Sequence, residues 1–518
     1  MVRNRGRALA AVTALGSAWL LSACSVGLHG STREAYEQLS RGDLARAQLA
    51  AYGYGHGDDV RDRAPRDRDA VDETGALADS RAAAAVTDAG GAADTGDEQR
   101  EHTRAQARIH VPTPGESPSG LSEYLALAVE RNPRLARARR NAEAGGYRIA
   151  QVTGLSDPML TGTPPTGDMT QTAAGEVDWS VGITQTIPFP VKLSVRGEAA
   201  SHAAHADLEA YRSTLLQVVN DVRRAYYQLT FADRALAITR GSRELLRSFR
   251  DIAARKYESG QVPQQDLLRA QVELANLDSD LLELEQDRAT TQARLNRLMS
   301  RPVSTTLPTT AAVEPRRVEL ALDGLLESAD DNSPEIAAAR ALTEKAEASL
   351  RLAGLDYVPD LTVGYRYTAI DDGGISPVAN GDDSWQVMFG ITVPIWLERL
   401  SAGRSEALAR LDASKSALTD ARDSIAYDVD EAVVKVQTQQ RLASLFGDVI
   451  VPQARQTLDA TISAYRAGQV DFLTLVANWR RLLDVEVAYH RSLAGFEQEL
   501  AELERIVGTE VADDGTRS

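Results

Sequence analysis

The stretch "DWSVGITQTIPFP", Asp178–Pro190, changes its period part-way along. Val177, Trp179, Val181, Ile183, Gln185 and Ile187 alternate with Asp178, Ser180, Gly182, Thr184 and Thr186. Alternation over about ten residues, with aromatics towards the ends, is the pattern of a membrane-spanning β-strand; a half-buried strand of a soluble sheet shares it. Past Pro190 the alternation stops. Leu193–Glu258 is rich in Ala, Leu, Arg, Glu and Gln, and no proline occurs until Pro263. Such a helix extends about 100 Å, more than a globular domain needs, and predicts a coiled coil.

The same transition recurs downstream. "SWQVMFGITVPIW", Ser384–Trp396, sets Trp385, Val387, Phe389, Ile391 and Val393 against Ser384, Gln386, Met388, Gly390 and Thr392. A second helical run follows from about Leu400 to Arg466, with a kink expected at Pro452. "RNPRLARAR" at Arg131–Arg139 pairs with "NSPEIAAAR" at Asn332–Arg340, Gly241 with Gly447, and "KYESGQV" at Lys256–Val262 with "AYRAGQV" at Ala464–Val470. Landmarks in one order at a near-constant offset predict an internal two-fold repeat, with copies over 121–320 and 321–508 and a polar tail over 509–518. Each copy reads as a helix, a strand pair, a very long helix and a return helix, the latter at Gln264–Met299 and Phe472–Ile506. "DLTVGYRY" supplies another strand, while the first, near Asp157–Thr166, is interrupted by Pro164 and Pro165.

The N-terminal region differs in kind. Arg3, Arg5 and Arg7 precede an apolar run, Ala8–Leu21, which ends in "LSAC" at Cys24, the one cysteine in 518 residues. The run is too short to span a bilayer and predicts a signal peptide over 1–23. "LSAC" resembles a bacterial lipobox, which implies lipidation of Cys24; Ser25 in place of Asp fits the outer membrane. Residues 24–54 read as an anchored segment with a short helical pair. Residues 55–120, without an aromatic, read as a disordered linker. With 74 acidic and 57 basic residues the net charge is −17, which argues against nucleic-acid binding. A lone cysteine leaves neither a disulfide framework nor a Cys-rich metal site.

No other apolar run is long enough for a spanning helix, so a membrane crossing requires a closed barrel. Four strands per chain cannot close one, and several chains must contribute. "RNPRLARAR", "DPML" at Asp157–Leu160, "IPFPVKLSVRGEA" at Ile187–Ala199 and the twin Tyr-x-x-Gly-Gln-Val elements resemble the TolC family of outer-membrane efflux channels, nearest its heavy-metal branch. The resemblance implies an α+β membrane protein: a homotrimer whose twelve-stranded transmembrane β-barrel continues into a helical periplasmic tunnel. It also implies partners, a periplasmic adaptor and an inner-membrane pump of the RND type, and neither a cofactor nor catalysis. Val191 departs from the Gly common in the family after "IPFP".

Candidate sites follow. Gly260 and Gly468 suit tight helix–helix turns. By resemblance Ser259, Gly260, Gln261, Val262, Ala467, Gly468, Gln469 and Val470 form the periplasmic tips that meet the adaptor. The resemblance likewise makes Asp266 an inward-facing gate carboxylate, with Tyr257 and Tyr465 beside it; Thr474 and Ala477 make the gate less acidic than in some relatives. Trp179, Val181, Ile183, Trp385, Val387, Phe389 and Ile391 are the expected lipid-facing residues. His202 and His205, at i,i+3, are weak metal candidates, because two histidines without a third ligand also suit a solvated helix face. Phosphate loops, G-x-S-x-G and H-E-x-x-H are missing from the sequence, so an enzyme is disfavoured. Drug efflux, protein secretion through the same kind of duct, and a lipid-anchored coiled-coil scaffold remain alternatives.

Overall fold

The computed structural model describes residues 120–164, 171–378 and 381–511. Cys24, the helical pair at Ser31–Tyr52, nearly all of the expected linker, the end of the expected first strand and residues 512–518 lie outside the described residues. In chain order the elements are α1 (Leu121–Arg131), α2 (Pro133–Thr153), β1 (Met159–Thr163), β2 (Gln171–Thr172), β3 (Gly175–Ile187), α3 (Pro190–Glu258) and α4 (Gln264–Leu298). Then come α5 (Leu322–Asn332), α6 (Pro334–Leu355), β4 (Leu361–Asp371), β5 (Ser384–Ile391), α7 (Leu397–Ser444), a π-helical turn (Leu445–Ile450), α8 (Val451–Arg466) and α9 (Phe472–Val507).

Local chemistry explains the boundaries. In "RNPRLARAR" the Asn132 side chain accepts the Arg134 N–H at 2.9 Å, and Pro133 sits in the first turn, where a missing N–H costs nothing. The same proline effect moves the start of α3 from the expected Leu193 back to Pro190, giving a helix of 69 residues. β1 is shorter than expected, ending just before Pro164. The second long helix is corrected more substantially. Its hydrogen-bond register widens at Leu445, ahead of Pro452, which sits in the first turn of α8. A proline ring collides with the carbonyl four residues earlier, here Asp448, and the π-turn around that residue absorbs the conflict.

The strands form one antiparallel sheet in the order β1-β3-β4-β5, with the two-residue β2 adding to β3. Its register assembles two opposed faces. Across one face run Leu160–Ile183–Tyr365–Val387, Val181–Tyr367–Trp385, Gln185–Val363–Phe389 and Ile187–Leu361–Ile391. Across the other run Thr161–Gly182–Arg366–Gln386, Thr163–Ser180–Thr368–Ser384 and Thr186–Thr362–Gly390. A bulge between Val177 and Trp179 takes up Asp178 and keeps Trp179 on the apolar side. The outer edges of β1 and β5 have no partner strand among the described residues.

Helix α3 runs through the middle of the helical body, buried along much of its length, and packs against α1, α2, α4, α6 and α9. One apolar core joins it to α1, α2 and the end of α4 through Tyr124, Leu135, Leu215, Leu229 and Leu295. A second joins α6, α7 and α9 through Ile336, Val429, Val436, Leu500 and Leu503. A third gathers Leu246, Phe249, Leu277, Leu458, Phe472 and Trp479 towards the turns that end α3 and α8. Burying each such side chain contributes about 1.5–3 kcal/mol. Between α3 and α9, Arg223 and Glu504 form an ion pair with both side chains about 5% exposed. Among the described residues no helix is long and apolar enough to cross a membrane.

Candidate functional site: helix tips and sheet junction

The two Tyr-x-x-Gly-Gln-Val elements are the same turn built twice. At the end of α3 the Gly260 N–H donates to the Tyr257 carbonyl at 2.9 Å and the Gln261 N–H to the Lys256 carbonyl at 2.8 Å. At the end of α8 the Gly468 N–H donates to the Tyr465 carbonyl at 3.1 Å and the Gln469 N–H to the Ala464 carbonyl at 2.9 Å. These paired bonds are those of a Schellman cap, which needs a left-handed residue after the helix. Gly260 and Gly468 supply it, with φ of 68° and 73°. Nothing lies within 4 Å of where a Cβ would stand at either glycine, so dihedral freedom, not space, selects the residue.

The equivalent tyrosines differ in their surroundings. Tyr257 is exposed, whereas Tyr465 is buried against Phe472, with ring centroids 5.7 Å apart. Burial and then the charge of Asp266 push the Tyr465 hydroxyl up to about 12. Its phenolic oxygen is buried without a hydrogen-bond partner among the described residues. Lys256 donates to the Tyr465 carbonyl at 2.6 Å, and its ammonium lies 4.5 Å from the Tyr465 ring centre. Asp266, half-buried in the first turn of α4, has its carboxyl raised by burial and by Asp471, with Arg269 opposing. Asp471 caps α9 by accepting the Thr474 N–H at 2.9 Å, and bonding to Thr474 lowers its carboxyl. The tip thus pairs a carboxylate that resists ionisation with one that favours it.

At the other end, the seven expected lipid-facing residues, Trp179, Val181, Ile183, Trp385, Val387, Phe389 and Ile391, share one sheet face and are all exposed. Below them the sheet is tied to the helices. Asp360 accepts the Phe189 N–H at 3.0 Å and the buried Lys192 ammonium at 2.8 Å, and Lys192 also reaches the Val358 carbonyl at 2.7 Å. The Asp360 N–H donates to the Thr392 hydroxyl at 3.1 Å, so one aspartate links the ends of β3 and β5 to the start of β4. The Lys192 contact, with the Phe189 N–H, holds the Asp360 carboxyl below the usual range against its partial burial.

His202 and His205 meet carboxylates instead of each other. His202 lies 2.9 Å from Glu344 and 3.9 Å from Glu198; His205 lies 3.9 Å from Glu209. Among the described residues no three His, Cys, Asp or Glu side chains are grouped to hold a metal ion. Lys256, Asp471 and the Lys192–Asp360 pair escaped the sequence reading. Only Asp471 left a signal, as an N-cap residue directly before an apolar helix.

A family model described as outer membrane efflux protein matches residues 124–301 and 325–509. The chain belongs to the outer membrane efflux protein family. Among curated relatives, this efflux protein is 22% identical over 411 residues to the cobalt-zinc-cadmium resistance protein CzcC of Cupriavidus metallidurans, covering 77% of this chain and 92% of that one. It is 26% identical over 323 residues to the pyoverdine export outer membrane protein OpmQ of Pseudomonas putida, covering 61% and 66%. Its fold is similar to that of CusC, with a TM-score of 0.65, 16% identity and coverage of 78% of this chain and 99% of that one. VceC of Vibrio cholerae gives a TM-score of 0.64, 17% identity and coverage of 76% and 97%. The sheet and long helices of this outer membrane efflux protein therefore share the fold of CusC and VceC.

Proposed function

We propose that the protein is the passive exit duct of a tripartite efflux system, closed and opened at its periplasmic tips. Three copies pool their strands into one twelve-stranded barrel, and the long helices form a tunnel towards an adaptor and an inner-membrane pump. The observation that carries this reading is the sheet, whose exposed apolar face backs onto a Thr/Ser/Arg/Gln face and whose two outer edges lack partner strands among the described residues. Edges left open in one chain are satisfied when chains pair side by side, which gives lipid an apolar surface and the lumen a polar one. A periplasmic scaffold has no use for that division. Each chain is read as two copies of one unit, anchored by lipid at Cys24.

The cargo is proposed to be heavy-metal cations, on the strength of the CzcC likeness. In this reading the three Asp266 carboxylates gather about the axis, attractive to cations when ionised and less repulsive when protonated, which their burial favours. The duct has no catalytic role. Single-channel recording in planar bilayers, wild type beside Asp266→Ala, tests the assignment. Stable conductance steps with weaker cation preference in the variant are expected. Unchanged selectivity removes Asp266 from the constriction, and a folded protein that is monomeric in detergent and never conducts refutes the duct.

A further inference from the structure

Lys256 takes part in both tip turns at once. Its backbone carbonyl is an acceptor in the turn that ends α3, receiving the Gln261 N–H. Its side chain crosses to the other hairpin, where the ammonium donates to the carbonyl of Tyr465 at 2.6 Å. That carbonyl already accepts the Gly468 N–H and is thus part of the turn that ends α8. The ammonium also lies over the Tyr465 ring, a side chain only 2% exposed. A lysine on a flexible stem rarely has its head fixed by a carbonyl and an aromatic face together; each interaction gains strength where water is partly excluded.

The arrangement runs one way. The position equivalent to Lys256 in the second turn is Ala464, which has no side chain to reciprocate. The buried Tyr465 hydroxyl makes no compensating bond among the described residues. The α3–α4 and α8–α9 hairpins therefore share an apolar core, which tolerates sliding, and directional polar ties, which do not: Lys256 at the turns themselves and, farther from them, Arg480 donating to Asp280 at 3.1 Å.

We propose that Lys256 is a latch: its ammonium holds the α8 turn against α3, so the tips separate only when that contact breaks. Lys256 is a positioning residue for gating, and the proposal rests on the duct reading above. The test uses the purified full chain as wild type, Lys256→Met and Lys256→Arg. Met keeps the apolar stem and removes the charge; Arg restores a cation able to reach the carbonyl and ring. Hydrogen exchange of the amides of Gly468 and Gln469 reads the latch without requiring conduction. In Lys256→Met their exchange is expected to quicken about tenfold, and open probability in bilayers to rise by a similar factor with full-open conductance unchanged. Lys256→Arg is expected to return both most of the way to wild type. Exchange unaltered in Lys256→Met overturns the latch whatever the bilayer shows. Faster exchange with unaltered open probability in conducting channels overturns its role in gating. Faster exchange in a protein that never conducts removes the duct reading, and with it the gating role, while the tie between the turns stands. A loss of protection spread over the whole chain, or one that Arg fails to rescue, reduces Lys256 to a general packing residue and overturns the proposal.

Discussion

Three glycines at equivalent or neighbouring places separate backbone geometry from packing. Gly260 and Gly241 both have open space where a Cβ would stand, but Gly260 has φ of 68° while Gly241 lies inside α3. Alanine at Gly260 must adopt the left-handed region, at about 1–2 kcal/mol, offset in part by a stiffer unfolded chain, which leaves roughly 1 kcal/mol of destabilisation. Alanine at Gly241 instead removes the entropy cost of glycine in a helix and stabilises by about 0.5–1 kcal/mol. Hydrogen exchange followed by peptide mapping on the full chain reads both. Peptides over the first tip should open roughly fivefold more often in Gly260→Ala, and those around 241 roughly threefold less often in Gly241→Ala, from a tenfold change per 1.4 kcal/mol. Gly260→Asn should recover much of the loss, because Asn tolerates the left-handed region. Gly447→Ala belongs to a different class, since its Cβ would sit 2.8 Å from the Tyr489 ring. The reasoning is refuted if Gly260→Ala and Gly241→Ala shift local opening in the same direction.

Two further outcomes are expected. Glu504→Leu removes the buried carboxylate that pairs with Arg223 and should cost about 3–5 kcal/mol, while the pair Arg223→Met with Glu504→Leu should recover most of it, compared through the temperature at which helical circular dichroism is lost. Burial and the adjacent Arg234 depress His490 to about 4, so between its unfolded value near 6.5 and pH 4 the unfolded chain binds more protons and stability falls as pH is lowered; that part of the acid sensitivity should be missing from His490→Asn in urea titrations at stepped pH.

Patterns carried by neighbours in the chain were legible before the structure. Alternation in Trp179–Ile187 and Ser384–Ile391 placed residues on sheet faces, and the register confirms those placements pair by pair, whereas Val177, expected beside Trp179, pairs with Ile370 across the bulge and falls on the other face. The Tyr-x-x-Gly-Gln-Val spacing marked both turns because a Schellman cap is local, with its glycine at a fixed position after the helix. What stayed hidden joins residues far apart: Lys192 to Asp360, Arg223 to Glu504, Lys256 to Tyr465. No period announces such pairs, since a single charged residue on a helix looks the same whether it faces solvent or a partner 200 positions away. The π-turn falls between these cases. Pro452 is visible in the sequence, but the strain it creates is relieved upstream, around Asp448 and Gly447, where no residue signals it. The reading of Asp266 as a gate carboxylate came from likeness to a family; the asymmetry between Asp266 and Asp471 came only from their surroundings.

The two-faced register also governs how the sheet can grow. A strand added along β5 meets Trp385, Val387, Phe389 and Ile391 on one side and Gln386 and Gly390 on the other. On β1, Leu160 belongs to the apolar side and Thr161 to the polar one. Joining these two edges displaced by a single residue would set Thr161 among tryptophan and phenylalanine and turn Leu160 towards Arg366 and Gln386. Only shifts of an even number of residues keep like with like. In the proposed barrel, parity would therefore act as a proofreading rule: half of all possible alignments are rejected by solvation alone, before any turn or loop has been consulted.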